Sequence, residues 1–114
     1  MRVMVLGAGG FIGRHIIADL LMNGHDVVGV VRHIGTIADA FPQAMFIEMD
    51  LATALDPLVW REPLQGIDVI VNAAGLLRGR GMRAVHVDMP KALHIAAKDA
   101  GVDRVVLISA ISAR

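Results

Sequence analysis

Residues 2–13 read RVMVLGAGGFIG, and this stretch decides the fold. It opens with a short apolar run, 3–6, which is typical of a buried β-strand. A glycine cluster follows at once, and from residue 11 apolar residues recur at helical spacing until Asn23 and Gly24 end the pattern. A strand that passes through a glycine-rich turn directly into a helix is typical of the first unit of a parallel α/β sheet.

The rest of the chain repeats this alternation of strand and helix. The patterns predict further strands over 26–31, 44–49, 68–71 and 104–109, and helices over 11–22, 36–41 and part of 82–100, with a helical turn in 58–64. Such alternation requires right-handed crossovers, so we expect an α/β fold with a doubly wound parallel sheet of five strands. We expect one domain over 1–114 that stops just after the fifth strand, as the N-terminal portion of a larger protein would.

Composition excludes several functional classes. The 11 Lys and Arg residues balance the 11 Asp and Glu residues, so the chain lacks the basic field of a nucleic-acid binder. It has no cysteine, and its 5 His residues do not show metal-binding spacing, so we expect neither disulfides nor a metal. Although 55% of the residues are hydrophobic, no apolar run approaches the roughly 20 residues that span a membrane. We expect no membrane segment, no signal peptide and a cytoplasmic location.

The glycine turn carries the strongest chemical signal. Its three glycines, Gly7, Gly10 and Gly13, have the spacing G-x-x-G-x-x-G between a strand and a helix. The first permits a tight turn, the second lets backbone N–H groups approach a pyrophosphate at the positive helix N-terminus, and the third lets the helix lie close to the sheet. With Gly7 and Gly10, the backbone of Phe11 and Ile12 would face the pyrophosphate. The alternative is a purely structural turn without a ligand.

This turn resembles that of the extended and atypical short-chain dehydrogenase/reductase families, which include NAD-dependent epimerases and dehydratases. The resemblance covers nearly the whole chain, because the later motifs follow in the expected order. They are the entry to the second strand (23–27), Asp50 with Leu51, the fourth-strand motif (72–75) and the run into the fifth strand (100–106).

The resemblance implies a Rossmann-like sheet with its five strands in the order 3-2-1-4-5. It also implies a dinucleotide cofactor and assigns several contacts to it. Asp50 and Leu51 would hold the adenine ring. Ala73, Ala74 and Gly75 would line the ribose and nicotinamide side.

For two residues of these motifs, a purely structural role is an alternative to contact with the cofactor. An Asp directly after a strand, such as Asp50, is common turn chemistry. Asn72, at the end of the fourth strand, could instead tie two strand ends together through side-chain hydrogen bonds. Both alternatives stay open at the level of sequence.

The end of the second strand bears on the choice between the two nicotinamide cofactors. An acid there would accept hydrogen bonds from the ribose 2′-OH, whereas an Arg would bind a 2′-phosphate. This chain has Val31 at the position of the acid, followed by Arg32 and by His33 as a second donor, and the next carboxylate after them is that of Asp39. We therefore expect NADP(H) in preference to NAD(H). The alternative is that Arg32 is only a solvated charge at a strand end.

Catalytic residues are largely absent from these 114 residues. The resemblance implies a Tyr as general acid/base with a Lys four residues later, but the chain contains no Tyr. It also implies a hydroxyl residue after the fifth strand, where the expected position holds Ala110. Ser109 is therefore a displaced catalytic candidate and Ser112 a further one, and the alternative is that neither contacts a substrate.

The resulting hypothesis is the dinucleotide-binding portion of an NAD(P)-dependent oxidoreductase or nucleotide-sugar epimerase/dehydratase, acting on a small molecule and inactive by itself. The alternative is a non-catalytic sensor or structural subunit that binds the dinucleotide. A Tyr-x-x-x-Lys sequence beyond Arg114 would favour the enzyme. The fifth strand would form an exposed edge of the sheet, which predicts self-association.

Overall fold

The computed structural model describes residues 1–74 and 84–108. In these ranges strands and helices alternate as β1 (Arg2–Leu6), α1 (Phe11–Met22), β2 (Asp26–Val31), α2 (Ile37–Ala40), β3 (Met45–Glu48), β4 (Val69–Asn72), α3 (Met89–Ala100) and β5 (Arg104–Leu107). A 3₁₀ turn, Pro57–Trp60, lies between β3 and β4, and a π-helical turn, Ala84–Asp88, leads into α3. The predicted elements are therefore present: β1 and β2 have the predicted boundaries, and those of β3, β4 and β5 differ by at most two residues.

The strands form one parallel sheet in the order β3-β2-β1-β4-β5, which confirms the predicted fold class and strand order. Their register brings the carboxyl ends to one edge: Leu6 lies opposite Val30 on one side and Asn72 on the other, and Val31 lies opposite Glu48. The loops that follow the strands therefore meet at this edge, where parallel α/β sheets bind their ligands. We call it the carboxyl edge.

Both faces of the sheet are covered. On one face Met4 of β1 packs in a core with Trp60 and with Leu93 of α3. On the other face the next residue, Val5, packs with Ile17 of α1. Since successive strand residues point to opposite faces, two covered faces require nearly continuous apolar strands, which accounts for the hydrophobic composition. No helix in the described ranges is long and apolar enough to cross a membrane.

The ends of α3 follow local sequence signals. Pro90 stands in its first turn, directly after the π-helical turn that leads into the helix. Gly101 ends the helix in the left-handed conformation, with φ +77°. This confirms Gly101 as the predicted C-terminal stop.

Candidate functional site

The first glycine of the turn is required by its conformation and by a neighbouring strand. Gly7 has φ +73°, in the region that favours glycine. A β-carbon at this position would also stand 3.0 Å from the carbonyl carbon of Ala73 and from the backbone nitrogen of Ala74. The turn after β1 therefore lies directly against the backbone that follows β4.

The third glycine brings α1 onto that turn. A β-carbon at Gly13 would overlap the carbonyl oxygen of Gly7 and would stand 2.9 Å from the α-carbon of Ala8. No real β-carbon approaches backbone atoms so closely. The position and angle of α1 thus depend on the absence of a side chain at residue 13.

The second glycine is different, because the fold leaves room for a side chain there. A β-carbon at Gly10 would meet the carbonyl oxygen of Gly7 at 3.5 Å, an ordinary contact, and φ is −77°. Gly10 is also exposed at the carboxyl edge. Packing among the described residues therefore gives no reason for glycine at this position, whereas close approach of a ligand would.

Unpaired amides mark the N-terminus of α1. Gly10 caps the helix without a side chain, and the first helical hydrogen bond runs from the N–H of Arg14 to the carbonyl of Gly10 at 2.9 Å. The N–H groups of Phe11, Ile12 and Gly13 precede that bond and have no carbonyl partner within the helix. Together with the helix dipole they form a site suited to a phosphate group.

A cation and an aromatic pair flank this site, and the sequence patterns did not indicate either. The Nε of Arg14 donates to the carbonyl of Gly9 at 3.2 Å, which places a guanidinium beside the glycine turn. The ring of Phe11, 76% exposed, meets the imidazole of His15 edge to face with centroids 4.5 Å apart. A basic residue directly after the last glycine was the signal available for Arg14.

Arg32 and Asp50 come together across the ends of β2 and β3. The Nη2 of Arg32 lies 4.0 Å from Oδ2 of Asp50, and both side chains are substantially exposed. The other carboxylate oxygen of Asp50 accepts the N–H of Ala52 at 3.0 Å. Asp50 therefore does have the predicted turn role, and it also provides a counter-ion for the cation at the end of β2. His33 follows Arg32 and is exposed.

A second carboxylate, which the sequence reasoning missed, lies at the same place. Oε2 of Glu48, the last residue of β3, accepts the backbone N–H of Ile34 at 2.9 Å. A search along β2 finds no acid at its end, but the register places Glu48 opposite Val31. The pairing of two strands, and not the sequence of one, brings this acid to the loop that carries Arg32.

Leu51 has its side chain in the interior. It is only 8% exposed and belongs to the core that contains Trp60. Its contribution to a site at the carboxyl edge is therefore limited to its backbone. Ala73 and Ala74 are also buried, and their backbone contacts Gly7 as described above.

Asn72 has a structural role, within its own turn rather than between strands. Its side chain is 3% exposed, and Oδ1 accepts the N–H of Ala74 at 3.0 Å. Its backbone carbonyl accepts the N–H of Ile108 at 2.9 Å, which links β4 to the end of β5. Gly75 and Ser109 lie outside the described residues, as do Ala110 and Ser112.

Two cavities among the described residues are remote from these groups. One, of about 460 Å³, lies between the Pro57–Trp60 turn and α3, and the other, of about 500 Å³, lies where α1 ends and β2 begins. None of the predicted site residues lines either cavity. The described ranges also hold no group of three or more acidic or His side chains that could bind a metal ion.

Comparison with known proteins supports a nucleotide site. A family model described as NAD(P)H-binding matches residues 7–114. Among curated proteins, an uncharacterised protein of Mycobacterium tuberculosis is 36% identical over 112 residues, covering 96% of this chain and 12% of that protein. A mitochondrial NADH dehydrogenase [ubiquinone] 1 alpha subcomplex subunit 9 of Rattus norvegicus is 31% identical, covering 96% of this chain and 30% of that protein. A ceramide reductase of Caulobacter vibrioides is 33% identical, covering 98% of this chain and 35% of that protein.

Solved structures share the fold. A yeast methylglyoxal/isovaleraldehyde reductase in complex with NADPH is 26% identical with a TM-score of 0.79, covering 94% of this chain and 36% of that one. A UDP-glucose-4-epimerase of Stenotrophomonas maltophila with bound NAD is 25% identical with a TM-score of 0.71, at 94% and 36% coverage. An oxidoreductase of Lactococcus lactis, 22% identical with a TM-score of 0.82 and 97% and 49% coverage, shows the same fold. The chain thus spans less than half the length of each of these proteins.

Proposed function

Since the chain belongs to the NAD(P)H-binding family, we propose that it binds a nicotinamide dinucleotide along the carboxyl edge of its sheet, as part of an oxidoreductase or nucleotide-sugar epimerase/dehydratase. The observation that carries this proposal is the exposed N-terminus of α1. It offers the amides of Phe11 and Ile12, both exposed, at a turn where the fold itself does not require Gly10. A pyrophosphate supplies the charge and the close approach that explain both features.

The remaining contacts to the dinucleotide lie along the carboxyl edge, on either side of the N-terminus of α1. Gly7 and Gly10 contribute backbone to the pyrophosphate side, and Gly13 allows the helix to approach. Asp50 contacts the adenine from its turn, and Leu51 does so through its backbone because its side chain is buried.

On the other side of the turn, the backbone of Ala73, Ala74 and Gly75 contacts the ribose and nicotinamide. The first two already lie against Gly7, so a ligand at the glycine turn would reach them. The bound dinucleotide supplies hydride chemistry, while these residues bind and orient it.

NADP(H) is the preferred cofactor in this proposal, through Arg32 with His33 as a second donor. Arg32 is 75% exposed in its side chain, and Asp50 holds it only through a contact of 4.0 Å. A 2′-phosphate carries more negative charge than a carboxylate and accepts charge-assisted hydrogen bonds from a guanidinium. Arg32 would therefore exchange Asp50 for the phosphate when the cofactor binds.

Fluorescence titration with NADPH and NADH tests the proposal, with Arg32→Ala beside Arg61→Ala, an exposed arginine remote from the carboxyl edge. We expect Arg32→Ala to weaken NADPH binding about tenfold, the equivalent of roughly 1.4 kcal/mol, and to change NADH binding less than about twofold. Arg61→Ala should bind both as the unmodified chain does. Binding of neither dinucleotide would overturn the function, and equal or tighter binding of NADH would overturn only the preference.

A second candidate function is a non-catalytic subunit or sensor of the same fold. The similarity to the rat NADH dehydrogenase subunit and the presence of Ala110 where the resemblance implies a hydroxyl residue favour it, whereas the similarity to the ceramide reductase favours the enzyme. The coding sequence beyond Arg114 distinguishes the two. A Tyr-x-x-x-Lys motif there would support catalysis, with Ser109 as a candidate for contact with the substrate, and a continuation without that motif would support the subunit.

A further inference from the structure

We propose that Glu48 is a positioning residue that determines cofactor preference, because its carboxylate holds the segment that presents Arg32 and His33. This inference rests on the proposed function. It concerns an acid that the cofactor itself need not contact.

Two hydrogen bonds enclose the segment that carries the cations. At one end the N–H of Met49 donates to the carbonyl of Val31 at 2.8 Å. At the other end the N–H of Ile34 donates to Oε2 of Glu48 at 2.9 Å. Arg32 and His33 lie between these two points, so their backbone is tied to β3 on both sides.

The two ties differ in kind. The bond to Val31 joins backbone groups beside paired strands, so any sequence with this register can form it. The bond to Ile34 uses the side chain of Glu48, and a substitution can remove it without changing the ladder between β2 and β3. Glu48 is exposed, so its side chain is not needed to fill the core. The position of Arg32 is therefore adjustable through this one side chain.

Glu48 also acts in a second and opposite way. Its negative charge near the end of β2 adds to that of Asp50 and opposes binding of a phosphate. Because the carboxylate is exposed, solvent and salt weaken this repulsion, whereas the hydrogen bond defines the conformation of the segment directly. We expect the positioning effect to exceed the repulsion.

Two substitutions separate the effects. Glu48→Ala removes both the acceptor and the charge, whereas Glu48→Gln retains a side-chain oxygen acceptor and removes the charge. Glu62→Ala removes an exposed acid outside the carboxyl edge and serves as the matched control. The probes are NADPH and NADH, together with 2′,5′-ADP and 5′-AMP, which differ in the 2′-phosphate and lack the nicotinamide.

We expect Glu48→Ala to weaken binding of NADPH and 2′,5′-ADP by about three- to tenfold, the range that a lost hydrogen bond produces. Binding of NADH and 5′-AMP should change less than about twofold. Glu48→Gln should keep the preference of the unmodified chain or increase it, and Glu62→Ala should change nothing. The thermal midpoint of each variant shows whether the fold is retained.

Three results would overturn the inference. They are unchanged affinities for both cofactors in Glu48→Ala, an equal loss of affinity for both cofactors in Glu48→Ala, and a loss in Glu48→Gln as large as that in Glu48→Ala. If the unmodified chain binds its cofactor and one of these occurs, the proposed function stands and only the role of Glu48 is lost. If the unmodified chain binds none of the four probes, the function itself fails and the inference fails with it.

Discussion

Gly13 lies so close to the carbonyl group of Gly7 that a side chain at residue 13 cannot be accommodated without moving α1. The two residues are six positions apart, yet their contact decides how the first helix rests on the turn that ends β1. Gly10, between them, has no such constraint. The three glycines of one motif therefore have separable roles, which mutation can test.

Replacing Gly13 by Ala should destabilise the fold. The added methyl group would overlap the carbonyl oxygen of Gly7, and overpacking of this kind costs about 1–3 kcal/mol. Urea unfolding followed by circular dichroism measures the loss. A free energy of unfolding equal to that of the unmodified chain would show that α1 shifts at no cost, against the packing role assigned to this glycine.

Replacing Gly10 by Ala should weaken dinucleotide binding much more than it lowers the stability of the fold. A β-carbon there makes only an ordinary contact, so we expect a loss of less than about 1 kcal/mol in stability. Dinucleotide binding should nevertheless fall at least about tenfold, because the methyl group occupies the surface that a pyrophosphate must approach. Titration of this variant beside Gly13→Ala distinguishes the two roles, and full affinity in Gly10→Ala would contradict the proposed position of the pyrophosphate.

The buried hydrogen bond of Asn72 should contribute measurably to stability. Substitution by Ala removes the acceptor for the N–H of Ala74 and leaves that buried group unpaired, at a cost of about 1–3 kcal/mol. Asn23→Ala is the matched control, because Asn23 makes an exposed side-chain hydrogen bond to the carbonyl of Asp19 at 2.8 Å. The control should lose no more than about 0.5 kcal/mol, and equal losses for the two variants would contradict the importance of burial.

Gly29 and Phe46 form a pair of unequal size across β2 and β3. They are register partners, and a β-carbon at Gly29 would stand 2.6 Å from an edge carbon of the Phe46 ring and 3.1 Å from the β-carbon of Ala8. Gly29→Ala should therefore destabilise the protein by about 1–3 kcal/mol. Combining it with Phe46→Leu should recover part of this loss, since the smaller side chain relieves the contact. A double-mutant cycle of unfolding free energies measures the coupling, and simple additivity would contradict the contact.

We propose that these 114 residues, taken by themselves, self-associate through the outer edge of β5, because β5 is an edge strand in the described sheet and Leu107 is 63% exposed. Light scattering over a range of concentrations should show mass increasing with concentration. Leu107→Lys should suppress this increase by placing a charge at the edge, while Met22→Lys, at the exposed end of α1, should not. A constant monomer mass in the unmodified chain would contradict the proposal.

The sequence alone was sufficient for the fold because its signals are local. Each signal acts within a few residues: the alternating apolar runs, the stop at Asn23 and Gly24, and Gly101 after α3. The right-handed crossover between parallel strands then leaves few possible strand orders. The turn of Gly7, Gly10 and Gly13 could be recognised for the same reason, since its chemistry depends on the spacing of three glycines within seven consecutive residues.

What lies at the end of β2 depended on tertiary structure. Arg32 was visible in the sequence, but its ion pair with Asp50 and the hydrogen bond from Ile34 to Glu48 join residues that are distant along the chain. Both contacts follow from the register between β2 and β3, and a shift of one residue would turn Glu48 to the other face of the sheet. Local periodicity thus determines which strands form, whereas only the pairing of those strands decides which charges meet at the carboxyl edge.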